Sequence, residues 1–264
     1  MSLPRNGLFI RTARFTRLLL HCVQGFATAG VLFPIYTPRQ RDRAIVLWAR
    51  RLLSILHLRV QVSGAVPAEA GRGCIIAANH ISWLDIFVVH TVCPARFVAK
   101  AEIRRWPLLG WLCARAGTLF IERGRRHHTA KINEMMLKAI DAGDTIAVFP
   151  EGTTTSGETL KKFHSSLFQA AAQSGAMLVP AAIRYTDSLD RRCEAAAYVD
   201  DISLAQSIQR ILAEPELRVA LQFAPPIQAT GKSRRELTQQ AEEAIARLLS
   251  VGDELARNGA HGER

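Results

Sequence analysis

Acidic residues are almost missing from the first 60 positions, where ten Arg face a single acid, Asp42. The 264-residue chain carries a formal net charge of +11, and most of that excess lies in this segment. A distribution so one-sided excludes a general polyanion-binding surface and points to a basic amino-terminal segment. Aromatic stacking platforms are missing beside the basic residues, which flank apolar stretches instead, so nucleic-acid binding is disfavoured. No C-x-x-C spacing links Cys22, Cys74, Cys93, Cys113 and Cys193. Their odd number and scatter argue against a disulfide framework or a zinc site and fit a reducing compartment. There is no internal repeat, no low-complexity linker and no G-x-S-x-G nucleophile elbow. A hydrophobic content of 48% with 22% charged residues excludes wholesale disorder. The length suits one large domain, or a domain with an appendage.

What is present begins with a run free of charge, Leu18 to Pro38. It is about as long as a bilayer span, but His21, Gln24 and Pro34 weaken it. Arg11, Arg14 and Arg17 precede it and Arg39, Arg41 and Arg43 follow, without the one-sided bias of a spanning helix. The next stretch, Arg43 to Leu56, sets Ile45, Trp48, Leu52 and Ile55 on one helical face. The pair reads as a membrane-docking helical hairpin over residues 1–57. The alternative is that both helices simply pack on the soluble core. A cleaved signal peptide ending near Ala27-Thr28-Ala29 ranks lower, because His21 and Gln24 interrupt the apolar region.

From Leu58 on, short β-rich runs alternate with helical ones. Strands are expected at Arg59–Ser63, Cys74–Ala78, Arg96–Ala99, Thr118–Ile121, Thr145–Phe149, Leu178–Arg184, Ala195–Val199 and Arg218–Phe223. Helices are expected at Ser82–His90, Pro107–Ala116, Thr129–Ala142, Leu167–Ser174, Leu204–Leu212 and Arg234–Leu255. The alternation predicts an α/β domain over 58–256, with a mixed, largely parallel sheet flanked by helices. Residues 257–264 read as a disordered tail.

Active groups in such folds sit past the carboxyl ends of strands. The run Cys74–Ala78 leads into Asn79-His80-Ile81-Ser82-Trp83-Leu84-Asp85, with Ser82 and Asp85 at the spacing of a capping box. Five positions apart, His80 and Asp85 would face opposite ways on one continuous helix. They can meet only if His80 lies in the turn before the helix and Asp85 in its first turn; the carboxylate could then orient one ring nitrogen and leave the other as a base. Taken alone, the pattern equally suits a helix cap and a loop histidine. A second segment, Gly117 to Arg123, ends a strand in a cluster of cations, with Lys100 at the same edge; Arg offers planar donors suited to phosphate. Arg125 and Arg126 read as a solvated turn, and the adjacent His127 and His128 as surface residues. In a third, Phe149-Pro150-Glu151-Gly152-Thr153, a carboxylate could hold substrate hydroxyls, or the segment is an ordinary strand-ending turn. Pro180 inside an apolar run implies an edge strand or a bulge beside a site.

In this order the segments resemble the glycerolipid acyltransferase family, specifically bacterial 1-acylglycerol-3-phosphate acyltransferases. The blocks are N-H-x-x-x-x-D at Asn79–Asp85, G-x-x-F-I-x-R at Gly117–Arg123, F-P-E-G-T at Phe149–Thr153 and V-P at Val179–Pro180. The resemblance implies acyl transfer from a thioester of acyl carrier protein or coenzyme A to the free hydroxyl of a lysophospholipid, with no metal or other cofactor. His80 would be the base and Asp85 its orienting partner. Arg123, helped by Lys100, would hold the acceptor phosphate. Asn79, Gly117, Phe120, Glu151, Gly152, Thr153 and Pro180 would shape the substrate site. The two-helix membrane motif is also similar, and the implied location is the cytoplasmic face of the cell inner membrane, among membrane lipids. Another lysolipid, such as a lyso-ornithine lipid, and a non-catalytic lipid-binding protein are the alternatives.

Overall fold

The apolar run winds into α1 (Leu8–Ala27), which continues as a π-helical turn over Thr28–Leu32 before the chain reverses into α2 (Pro38–Ile55). The structure, a computed structural model, describes residues 5–66, 73–121, 126–199 and 201–259. Pro38 opens α2 with its φ already helical, and Thr37 and Gln40 close a capping box around the start. His21 and Trp48 clasp the two helices together. Their rings stack at 4.7 Å, His21 Nε2 donates to the Trp48 carbonyl at 3.0 Å and Trp48 Nε1 donates to the His21 carbonyl at 3.2 Å. Gly25 makes room for that indole, since a Cβ there would lie 2.5 Å from Trp48 Nε1.

The remainder follows the expected alternation. In chain order come β1 (Leu58–Gly64), β2 (Ile75–Ala78), α3 (Asp85–His90), β3 (Arg96–Lys100), α4 (Leu109–Arg115), β4 (Leu119–Ile121), α5 (Arg126–Asp141) and β5 (Ile146–Val148). Then follow α6 (Gln169–Ser174), β6 (Met177–Asp187), α7 (Leu204–Ala213), β7 (Leu217–Phe223), β8 (Ile227–Gln228) and α8 (Arg234–Gly259). The sheet runs β1-β7-β6-β2-β5-β3-β4, with β8 also paired to β6. Only the β6–β7 and β6–β8 pairs are antiparallel, so the sheet is mixed and largely parallel. Its central strands are apolar on both faces, as doubly covered parallel strands must be. One face carries Ile76, Val179 and Ile183 against α1, α2, α3 and α7; the other carries Ile75, Ile146 and Leu178 against α5, α6 and α8.

The hairpin shares the first of these cores. Leu18, Leu52, Leu53 and Ile55 are buried in it, each worth about 1.5–3 kcal/mol when fully buried. Buried Arg14 donates to the carbonyls of Glu214 and Pro215, tying α1 to the turn before β7. The outer side of α1 stays uncovered: Phe9 is 85% exposed and Leu20 and Val23 are also open. Leu8–Leu32 is the single described helix long and apolar enough to cross a membrane.

Four expectations need correction. Ala195–Val199 is not a strand but a 3₁₀ turn (Glu194–Ala196) and an extended loop, because its backbone is taken by loops: Tyr198 N–H donates to the Ile81 carbonyl, and Thr154 Oγ1 donates to the Tyr198 carbonyl. Pro180 lies on an interior strand between β2 and β7, neither at an edge nor in a bulge. Its carbonyl accepts from Ala224 N–H on the β7/β8 side. A strand residue points its N–H and C=O the same way, so the missing N–H falls where β6 changes partner, between Leu178 on β8 and Ala181 on β7. The helix expected from Ser82 starts at Asp85. The last helix runs past Leu255 to Gly259, into the expected tail; residues 260–264 lie outside the described part.

Candidate active site

The buried strand β2 delivers Asn79 and His80 to the carboxyl edge of the sheet, and α3 begins at Asp85. The geometric condition for a pair is met: His80 Nδ1 lies 2.8 Å from Asp85 Oδ2. A carboxylate only accepts, so Nδ1 carries the proton. The same oxygen accepts from the backbone N–H of Ile81 (2.7 Å) and Ser82 (2.9 Å), which fold the turn around it. This is half of a capping box. The other half is absent, because Ser82 Oγ accepts from Leu84 N–H instead. Asp85 Oδ1 accepts from the Tyr185 hydroxyl at 2.7 Å. The carboxylate is fully buried and each of its hydrogen-bond partners is a donor.

The imidazole lies flat on Phe149, with centroids 3.9 Å apart and planes 6° apart, and Phe149 stacks in turn on Phe97. Its side chain is 20% exposed, and Nε2 has no hydrogen-bond partner among the described residues. A ring with one nitrogen fixed by a buried carboxylate and the other at the surface can take a proton from a hydroxyl and return it to a leaving group.

The backbone of His80 is held from two sides. Its N–H donates to Glu151 Oε1 at 2.8 Å, and its carbonyl accepts from Thr155 N–H at 2.8 Å. Glu151 Oε2 accepts from Lys161 N–H at 2.9 Å. Burial pushes the Glu151 carboxyl upward in pKa, while the two amides and His80 oppose that rise. Each Glu151 oxygen accepts from one backbone amide and keeps a further lone pair, so the carboxylate braces His80 without excluding the expected contact with substrate hydroxyls. The Asn79 side chain is buried and pairs with both backbone groups of Ile183 on β6, at 2.7 and 3.0 Å, tying the end of β2 to β6 behind His80.

Gly152, at a positive φ of 72°, makes the turn after Pro150, and Thr153 is exposed beside it. Lys100 is exposed at the carboxyl end of β3. Phe120 is half-buried on β4, with the Arg104 guanidinium 5.7 Å above its ring. Gly117 does not join them. It precedes β4 at the amino edge, against the Arg96 side chain, and lines a groove with Asp42 and Asp144. Its φ of 83° explains the glycine. Pro180 is buried in the sheet. Arg123 and Arg125, and the side chains of Arg126, His127 and His128, fall outside the described residues.

Tyr185 and Thr155 escaped sequence reasoning, and Phe149, part of the F-P-E-G-T block, was given no role there. A signal existed for Tyr185: it continues the Val179–Ala181–Ile183 face of β6 at period two, a polar tip on a core-facing row.

Comparisons with known proteins place the chain in a family. The family model described as Acyltransferase matches residues 59–184. The 1-acyl-sn-glycerol-3-phosphate acyltransferase of Neisseria meningitidis serogroup B is 34% identical over 259 residues, covering 97% of this chain and 100% of that protein. The lyso-ornithine lipid O-acyltransferase of Pseudomonas aeruginosa is 37% identical over 209 residues, 79% of each chain. The crystal structure of the 1-acyl-sn-glycerophosphate acyltransferase from Thermotoga maritima superposes with a TM-score of 0.62 at 21% identity, over 90% of this chain and 96% of that one, a likeness of fold.

Proposed function

Because the chain belongs to the acyltransferase family, we propose that it moves a fatty acyl group from a thioester to the free hydroxyl of 1-acylglycerol-3-phosphate, giving phosphatidic acid. The observation that carries this reading is the His80–Asp85 pair, its outer nitrogen unpartnered among the described residues, in a chain that aligns with the whole length of a relative so named.

The residues divide the work as follows. Asp85 holds the Nδ1–H of His80 and balances the positive ring. Nε2 takes the proton of the acceptor hydroxyl as its oxygen attacks the thioester carbonyl. The tetrahedral adduct collapses, the carbon–sulfur bond breaks, and the ring proton passes to the departing thiolate. A positioned base of this kind contributes roughly 10²–10⁴-fold. Arg123 meets the acceptor phosphate, and Lys100, at the carboxyl end of β3, is a second cation for it. Acyl carrier protein or coenzyme A brings the acyl group, and no metal or other cofactor takes part. The hairpin of residues 1–57 docks the protein on the cytoplasmic face of the inner membrane, where a lysophospholipid resides.

The likeness to the Pseudomonas protein favours a second reading, the same chemistry on a lyso-ornithine lipid. Purified protein with an acyl thioester and a panel of lysolipids, assayed by mass spectrometry, separates the two. Phosphatidic acid should dominate, and Arg123→Ala should raise the KM for lysophosphatidate alone. Absence of thiol release with lysophosphatidate removes the first reading.

A further inference from the structure

Beyond the hairpin, a second apolar protrusion lies between β3 and β4. After a 3₁₀ turn (Ala101–Arg105), the chain makes a tight turn at Pro107–Leu108–Leu109, where Leu108 takes φ 60° and ψ −55° and Leu109 N–H donates to the Pro107 carbonyl at 2.6 Å. This is a γ-turn of the rare hand with a positive central φ, strained for a branched side chain. Gly110 keeps it there: a Cβ at Gly110 would lie 2.3 Å from the Arg104 carbonyl, so the strand of chain beneath is packed too tightly to relax.

The strained turn gains no burial for its apolar side chains. Leu108 is 68% exposed, Trp106 47% and Trp111 40%. Strain that pushes a leucine outward between two tryptophans calls for a partner that receives them. Three observations select a lipid surface. The rim is basic, with exposed Arg104, Arg105 and Arg115 against the single acid Glu102, and Arg115 lies over the Trp111 ring. Trp111 stacks on Phe26 at 6.3 Å, and a Cβ at Gly30 would lie 3.6 Å from its ring, so the protrusion is continuous with the uncovered side of α1. That side also lacks acids, and Arg17 is exposed at its margin. Tryptophans at a boundary, apolar tips beyond them and cations around them match an anionic bilayer.

We propose that Trp106, Leu108 and Trp111 form a wedge that enters an anionic membrane beside α1, so that the protein beds on lipid through two separate stretches of chain. The proposal extends the docking role read for the hairpin but stands on its own residues.

Leu108→Gly tests it, since glycine accepts the turn's φ without strain and removes only the protruding side chain. With full-length protein and phosphatidylglycerol vesicles, Leu108→Gly should bind about ten-fold more weakly, about 1.4 kcal/mol. Its melting temperature and its turnover of a soluble short-chain lysophosphatidate should hold. Brominated lipid should quench wild-type fluorescence, and Trp106→Phe with Trp111→Phe should remove most of that quenching. Equal vesicle affinity in Leu108→Gly, or quenching that survives the double variant, overturns the wedge. A change in oligomeric mass would make the patch a contact between copies, and a raised thioester KM would make it a donor surface; either also overturns it. Failure of wild type to turn over the soluble acceptor would instead strike the proposed chemistry and leave the vesicle result standing.

Discussion

Tyr185 and His80 sit on opposite oxygens of one carboxylate: the phenol donates to Asp85 Oδ1 at 2.7 Å while the imidazole donates to Oδ2 at 2.8 Å. Burial, then the neighbouring Asp85 charge, raise the phenol well above its ordinary pKa, so it stays a donor. The hydroxyl thus locks the plane of the carboxylate that aims the ring.

Tyr185→Phe keeps the shape and deletes that donor. Loss of a hydrogen bond to a buried charge should lower stability by about 1–3 kcal/mol. It should cut kcat about ten-fold with the acceptor KM unchanged, because nothing that meets the acceptor is touched. Thermal melts and steady-state kinetics read both; an altered KM with kcat intact would remove Tyr185 from the positioning chain.

His80→Ala should cost about 10²–10⁴ in turnover while vesicle binding persists. Asp85→Asn should fall comparably, because its amide sets a donor against N–H groups that need an acceptor. Turnover in either variant near that of wild type would sink the base assignment.

Glu151→Gln tests the brace beneath His80. Glutamine offers one acceptor where two amides, of His80 and Lys161, need one each. Stability should drop by about 1–3 kcal/mol and kcat should fall. A rise in acceptor KM alone would return Glu151 to the role of substrate ligand.

His90 governs an acid limit. It is buried edge-on to Phe97, accepts weakly from Ala95 N–H, and burial drives its pKa from 6.5 down to about 4. The folded state binds this proton less readily than the unfolded one. Its contribution is therefore intact above pH 6.5 and is lost as pH falls from 6.5 toward 4, about 3 kcal/mol in all. His90→Asn, which keeps an acceptor for Ala95, should flatten the stability difference between pH 6.5 and 4 in denaturant titrations. A parallel fall in both proteins would show that other groups carry the acid loss.

Much of this was legible in the order of residues. Period-two and period-3.6 runs located seven of the eight described strands, six of them to within one position at each end and β6 short by three at its carboxyl end, because buried parallel strands are nearly all apolar and leave a clear trace. The two-residue β8 has no trace to leave. Ala195–Val199 failed because only Tyr198 and Val199 favour a strand, and its backbone is taken by loop carbonyls and hydroxyls that no local pattern reveals. His80 and Asp85 were visible because their partnership is local. The bracing contacts of Glu151 and Asn79 left no local trace, because the backbones they hold, of His80, Lys161 and Ile183, come beside them only in the assembled fold. His21 had seemed a flaw in an apolar run, until Trp48, 27 positions away, supplied its reason.

That same clasp sets an elevation. Trp48 also rests against Phe87 of α3, and α3 opens with the carboxylate that steers the imidazole. Hairpin, helix and ring therefore tip together, like the foot and needle of a depth gauge. Under the docking proposed above, the height of that needle would join the shape of the pocket in deciding which lipid alcohols come within reach.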